Sequence, residues 1–337
     1  MVMKRICLVM ALLTASHAPA LAWGWSGHRM IGEQAAKNFP REIPVFLRTP
    51  EAGAQIGLLA QEPDRSKNAG QPHDADSDPG HYFDLSDDGS IRGGPTLATL
   101  PANRRDYDTA SRAAGSNEYA AGFLPFNIMD GYQQLVKDFA LWRMDVAAQK
   151  YAKKFSMTAE ERRYFARQQR VRELLTLRDL GVWAHYVGDA SQPMHLSVHF
   201  NGWGEGPNPK GFVVATGAHA KFESAFVDAN IVDADVAAKL RPYRACACDI
   251  RQRMQDYLSA SWALVVPTYE LDKAGAFDTA TAQSKAFTAG RLAEAASQLR
   301  DMVADAWADS SKAVLGYPKQ ASVADLESGK ADPRPLY

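Results

Sequence analysis

Apolar residues in this chain recur at intervals of three and four. Ile128, Tyr132, Leu135, Val136, Phe139 and Val146 follow that spacing. So do Ile250, Met254, Tyr257, Leu258 and Val265, and later Leu292, Ala296, Leu299, Val303 and Ala306. At 3.6 residues per turn each set forms one helix face. A further helix is predicted over Arg170–Asp189, and strand-like alternation is scarce. The chain is therefore committed to helices packed on helices around one core. Its 337 residues are ample for such a core, and 46% apolar with 23% charged residues excludes a disordered or fibrous chain. With 38 Lys and Arg against 39 Asp and Glu, it has no positive excess to hold duplex nucleic acid along a phosphate-binding stripe.

The first 22 residues read as a signal peptide. Lys4 and Arg5 precede an apolar stretch from Ile6 to Ala15, too short to span a bilayer, and Ala20-Leu21-Ala22 supplies a small-residue cleavage site before Trp23. The expected protein is exported, to the periplasm or beyond. Two stretches break the helical pattern. Ser66–Gly122 is rich in Gly, Pro, Asp and Asn, and Asn201–Gly217 carries Gly202, Gly204, Gly206, Pro207, Pro209 and Gly211. Both read as long surface loops of the kind that carry function. The expectation is an all-α fold: one helical domain over residues 23–317 with long active-site loops, then an extended tail over 318–337. Cys246 and Cys248, with one residue between them, form no disulfide framework or cysteine zinc site. They are expected as packed or free thiols, with a strained bond open to them in an oxidising compartment.

The chemistry is concentrated in histidines and carboxylates. His185 and Asp189 lie four apart on a predicted helix, so both leave the same face, and His219 and Glu223 repeat the arrangement. Gln192-Pro193 ends the first helix and brings His195 round, so His185, Asp189 and His195 can converge. A single such pair is ordinarily a surface ion pair. Two pairs plus a third histidine after a turn suggest a zinc site, since imidazole and carboxylate bind zinc without cysteine. The expected new N-terminus, Trp23-Gly24-Trp25-Ser26-Gly27-His28, adds a free amine titrating near ~8, able to bind metal, with Ser26 as a helix N-cap and His28 in the first turn.

These motifs together resemble a family. W-G-x-x-G-H from Trp23, H-Y-V-G-D-A-S-Q-P-M-H over residues 185–195 and H-A-K-F-E over 219–223 are similar to the trinuclear zinc phosphodiesterases. That superfamily joins the S1/P1-type nucleases to the bacterial zinc-dependent phospholipases C. The resemblance implies a phospholipase C/nuclease-like fold and three zinc ions. One would be held by Asp64, His81, His185 and Asp189. A second would be held by the Trp23 amine and carbonyl, His28 and the other oxygen of Asp189, and the third by His195, His219 and Glu223. Asp74, Asp76 and Asp78 compete with Asp64. His73 and His199 are left over and are expected on solvated loops.

The implied reaction is phosphodiester hydrolysis by a metal-bound hydroxide, with Asp64 orienting or deprotonating the nucleophile and Lys67 offsetting phosphate charge. In the nucleases, an aromatic residue after the histidine corresponding to His81 stacks on a base and an acid two further on bonds it; here these are Tyr82 and Asp84. Stacking suits single-stranded DNA or RNA, or nucleotides, as substrate. The spacings from Trp23 to His28 and from His195 to His219 also favour an endonuclease. Glu223 and H-A-K-F-E are phospholipase-like, but Leu196 and Val198 stand where the phospholipase motif expects Pro or Ala and then Asn. The alternatives are a phospholipase C acting on phospholipid headgroups and a non-catalytic zinc-binding protein. No stable protein partner is implied.

Overall fold

Helix α1 spans Gly24–Lys37, α2 Pro50–Leu59, α3 Leu124–Lys150, α4 Ala159–Asp189 and α5 Ala282–Ser310. The structure, a computed structural model, describes residues 23–336 apart from Glu205 and Ala247. The signal-peptide reading therefore concerns residues outside the described ones. The fold is all-α: among the described residues the strands amount to one two-residue pairing, Val314–Leu315 with Ala321–Ser322. Among the described residues no helix is long and apolar enough to cross a membrane.

Local chemistry sets the helix boundaries. Thr158 accepts from the Glu161 amide while Glu161 reaches back to the Thr158 amide, a capping box that opens α4. Thr49 caps α2 and Pro125 sits in the first turn of α3. The three apolar stripes fall on helical faces, although the second is split into Ile250–Trp262 and Val265–Lys273. The first helix differs from expectation. Trp23, not Ser26, is its N-cap, with φ 47°, which puts Ser26 inside the first turn and His28 in the second.

α3 and α4 pack along much of their length, and α1 packs on α2, α4 and α5. The N-terminal half of α4 is solvated, with Leu174 69% exposed. Its C-terminal half is buried from Leu180 through Asp189, apart from Val182 and Tyr186. Two glycines permit this. A Cβ on Gly181 would lie 2.3 Å from the Leu59 side chain, and one on Gly188 would lie 3.0 Å from His28 Nδ1. The last two turns of α4 can thus meet α1 and α2 closely enough to share a polar site with α1.

Several expected loop and tail segments are more ordered than composition suggests. Residues 66–122 contain a helix over Arg104–Ala113, capped by Asn103, and Tyr107 of that helix is fully buried. After Tyr317 the chain pairs as a strand and forms a short helix, Val323–Glu327. That helix docks on α3 through Arg143 to Glu327 at 2.7 Å and the Tyr151 hydroxyl to the Glu327 carbonyl at 3.0 Å. Leu315, Val323 and Leu326 bury a small apolar cluster there, which is why this segment is not an extended tail. Cys246 and Cys248 are joined as a disulfide rather than left as thiols.

Candidate metal centre

Six short stretches of chain meet at the buried end of α4. His185 and Asp189 come from its last turns and His28 from α1. Asp64 sits in a one-turn helix, Glu62–Arg65, and His81 ends a turn over Asp78–His81. His195 lies in the turn after Gln192, where Pro193 stops α4 from continuing. His219 and Glu223 lie on a helix that widens into a π segment over Lys221–Phe226, a local form often found at functional sites. All eight of these side chains are buried.

They form three groups whose ligand atoms lie within 4.8 Å of one another: His28, His185 and Asp189; Asp64, His81 and His185; and His195, His219 and Glu223. Asp189 faces two ways. Its Oδ1 lies 3.4 Å from His28 Nε2, while Oδ2 lies 3.1 Å from His81 Nδ1 and 3.3 Å from His185 Nε2. Asp64 Oδ1 is 3.8 Å from His185 Nε2 and 4.0 Å from His81 Nδ1. Asp64, rather than Asp74, Asp76 or Asp78, is the acid that the fold brings to these histidines. His185 stands in two groups, where the sequence reading had used it in one.

The hydrogen bonds around the histidines test whether a metal fits. Nδ1 of His185 lies 2.8 Å from the Ala60 carbonyl, Nδ1 of His195 2.6 Å from the His81 carbonyl, and Nδ1 of His219 2.7 Å from the Phe200 carbonyl. A carbonyl only accepts, so each Nδ1 carries a proton and each Nε2 is turned inward. The inward nitrogens then crowd: His195 Nε2 is 3.1 Å from His219 Nε2, and His185 Nε2 is 2.8 Å from His81 Nδ1. Ring nitrogens this close share either a proton or a cation, and carboxylates beside both contacts complete a metal-ligand set. His28 Nδ1 and Glu223 Oε1 are also buried without a hydrogen-bond partner among the described residues. The donor set suits zinc.

Electrostatics agree with a site prepared for cations. Burial pushes the Asp189 carboxyl up, but His185, His195 and His28 together outweigh it and hold the group well below the usual range. Burial also works against the Glu223 and Asp64 anions, and the histidines beside them keep both low. Burial drives His81 down to about 3, helped by Lys67 nearby. Burial lowers His28 as well, so both rings are neutral donors.

Trp23 is fully buried where the sequence places the cleavage point. Its indole donates to the Gly188 carbonyl and the Ser191 hydroxyl, both at 2.9 Å, and its ring packs on Phe222. Its main-chain nitrogen lies 3.3 Å from Glu223 Oε2. The backbone at Trp23 therefore reaches the cluster on the Glu223 side, a neighbour that sequence spacing did not pick out.

A cleft of about 440 Å³ opens onto the centre, lined by Lys67, Asp78, His81, Tyr82, Asp84, Arg92, Met194, His195, Phe200 and His219 among others. Lys67 Nζ lies 2.7 Å from Asp64 Oδ1. Tyr82 donates its hydroxyl to the Tyr119 carbonyl at 2.8 Å, which fixes the ring at the cleft wall. Asp84 is almost fully buried and receives Arg92 Nε at 3.0 Å and Nη2 at 2.5 Å on Oδ2. The acid expected to bond a base is thus engaged by a guanidinium. Sequence reading missed Arg92 and the half-exposed Phe200. It also missed Gln192, whose amide donates to Glu223 Oε2 at 3.0 Å. Only the Gly93-Gly94 turn beside Arg92 hinted at a shaped loop there. His73 is solvated as expected, but His199 is not. It is fully buried, stacked on Trp203 at 3.8 Å and bonded to Asp87 at 3.0 Å, because the glycine-rich loop folds an aromatic cluster over it.

No family model matches the chain, and no curated protein matches it in sequence. Among solved structures it overlaps an alpha-toxin of Clostridium perfringens from avian strain SWCP. The identity is 14% and the TM-score 0.40, over 88% of this chain and 68% of the toxin. It also overlaps an alpha-toxin of Clostridium absonum at 16% identity and TM-score 0.37, over 83% of this chain and 64% of that one. Overlaps this loose leave the activity to be argued from the site itself.

Proposed function

We propose that this protein is a zinc-dependent phosphodiesterase holding three ions. The observation that carries the reading is the pair of inward-facing imidazole contacts, at 2.8 and 3.1 Å, with the outer nitrogens of three rings tied to carbonyls. Asp64, His81, His185 and Asp189 would hold one ion. Trp23, His28 and Asp189 would hold the second, and His195, His219 and Glu223 the third. Bound there, zinc supplies Lewis acidity toward phosphate oxygens and makes water a nucleophile at neutral pH.

The chain's own residues do the rest. Asp64, fixed by Lys67, presents a carboxylate that accepts a proton from the attacking water. Lys67 stays protonated: burial pulls its pKa down, but Asp64 raises it further, so its cation offsets charge on the phosphate. Tyr82 and Phe200 give the cleft aromatic surface for the group attached to that phosphate. Those surfaces and the two cations Lys67 and Arg92 favour single-stranded nucleic acid as the substrate, with the enzyme acting as an exported nuclease. A phospholipid headgroup ester is the second reading, favoured by exposed Phe200, Val213 and Val214 on the loop beside the cleft. The test compares single-stranded DNA, RNA and phosphatidylcholine on zinc-loaded protein, with elemental analysis alongside. Close to three zincs and turnover lost to chelator and restored by zinc are expected. A fully loaded protein with one zinc, or none of the three substrates cleaved, would overturn the reading.

A further inference from the structure

We propose that Arg291 is a positioning residue for the Glu223 metal site: it fixes the Ser191–Gln192 peptide, and through it the Gln192 amide that holds the Glu223 carboxylate. The inference rests on the zinc reading above and gives a role to a cation that reading does not use.

Arg291 lies on α5, 100 residues from the turn it touches. Burial pulls the pKa of its guanidinium down, and Tyr257 and Glu294 offset only part of that. Among the described residues it makes no ion pair; nearby Glu294 is engaged by Arg241 at 3.3 Å and by Gln298 at 2.9 Å. A charge withdrawn from water without a counterion is costly, so its use must lie in its hydrogen bonds.

Those bonds join three elements. Nε donates to the Ser191 carbonyl at 3.0 Å and Nη2 to Ser261 Oγ at 3.1 Å, tying α5 to the turn after α4 and to the helix Ile250–Trp262. One planar fork makes both contacts, a geometry that lysine cannot copy. The Ser191 carbonyl belongs to the peptide from which Gln192 departs. The other end of that peptide is held too, since the Gln192 N–H donates to the Asp189 carbonyl at 2.9 Å. With both polar groups of the plane bonded, the direction in which the Gln192 side chain leaves is set. Its Oε1 accepts from the Met194 amide at 2.7 Å, which turns Nε2 toward Glu223 Oε2 at 3.0 Å. The same Oε2 lies 2.6 Å from His219 Nε2. Ser191, Gln192 and Glu223 are all fully buried, so none can turn to bulk water instead. Arg291 thus reaches a candidate ligand carboxylate through one peptide and one amide. Outer hydrogen bonds of this kind aim a ligand and tune its basicity.

The test is zinc binding, read ion by ion in titrations against a competing chelator, with Glu223→Ala marking which step belongs to this site. Loss of an orienting partner predicts about a tenfold to hundredfold weaker affinity at that step in Arg291→Ala, with the other two steps unchanged. Gln192→Ala should weaken the same step. The double variant should be no weaker than Gln192→Ala alone, because Arg291 acts through that side chain. Arg291→Lys, which keeps the charge but cannot span Ser191 and Ser261 together, should retain part of the affinity. If urea unfolding of the metal-free forms shows that Arg291→Ala does not fold, the same cycle is run with Arg291→Lys. A merely structural loosening would spread over all three ions and add to the Gln192→Ala loss. Either of those results, or an unchanged affinity, would overturn the inference. If the wild type takes up no zinc, the zinc reading falls and the inference with it; three held ions that ignore Arg291 remove the inference alone.

Discussion

Replacing Gly188 with Ala should separate stability from metal binding. The added Cβ would lie 3.0 Å from His28 Nδ1, 3.2 Å from His28 Cε1 and 3.2 Å from Ile31 Cδ1, all inside ordinary van der Waals contact. Alanine in a helix interior gains about 1 kcal/mol over glycine. Crowding a packed interior costs about 1–3 kcal/mol. The two nearly cancel, so the metal-free protein should lose at most about 2 kcal/mol. Binding has no such compensation. His28 stacks on His185 at 3.8 Å and its Nε2 lies 3.4 Å from Asp189 Oδ1, so a shift of a few tenths of an ångström misaims one donor of the close pair. Disturbances of ligand orientation typically cost tenfold to a hundredfold in affinity. The assay is zinc titration against a competing chelator, paired with urea unfolding of the metal-free form. One zinc of three should weaken by that factor while the unfolding midpoint moves little. Unchanged affinity for all three ions, together with a stability gain near 1 kcal/mol, would show that α1 and α4 do not constrain His28 in this way.

Asp189→Ala removes the carboxylate whose two oxygens face His28 on one side and His81 with His185 on the other, so two zincs should weaken together and hydrolysis should nearly vanish; wild-type metal content would refute the bridge. An N-terminal extension left on Trp23 turns its amine into an amide, which should give a folded, largely inactive protein with reduced zinc, rescued when proteolysis exposes Trp23. Full activity with the extension in place would remove that nitrogen from the ligand set. Tyr82→Ala should cost about 1–3 kcal/mol per stacked base on single-stranded nucleic acid and much less on a small diester without a base, as initial rates would show. Asp138 is pushed up to about 6 by burial and by Asp179, against Arg172. The folded state therefore keeps its proton to higher pH than the unfolded state, and stability falls as pH rises from about 4 to 6. Asp138→Asn should flatten that slope by about 1–2 kcal/mol, after allowing for solvent screening, with urea midpoints at pH 4.5 and 7 as the measurement.

Much of this molecule is written locally. The three apolar stripes became helices because a period near 3.6 admits no other packed arrangement, and the carboxylate–histidine spacings of four put His185 with Asp189 and His219 with Glu223 on single faces. The turn at Pro193 was legible for the same reason: proline cannot continue a helix. What local pattern could not supply was long-range company, which the sequence offered only through the family resemblance. Asp64 joins His81 and His185 only because one-turn helices from the loop region fold over the end of α4. The tautomers of His185, His195 and His219 are set by carbonyls of Ala60, His81 and Phe200, which no side-chain pattern announces. Composition misjudged His199 and the segment after Tyr317, since polar and Pro-rich stretches look solvated until a distant aromatic cluster or helix face covers them. Arg92 was invisible for a related reason: an arginine in a glycine turn gains meaning only when a buried Asp84 fixes its plane at the edge of a metal cleft. By itself the sequence determined which segments are helical and which residues carry ligand chemistry, because both follow from neighbours within a turn. The tertiary structure decided which of those residues meet and which way their lone pairs point, because that depends on helices separated by more than a hundred residues closing within van der Waals contact.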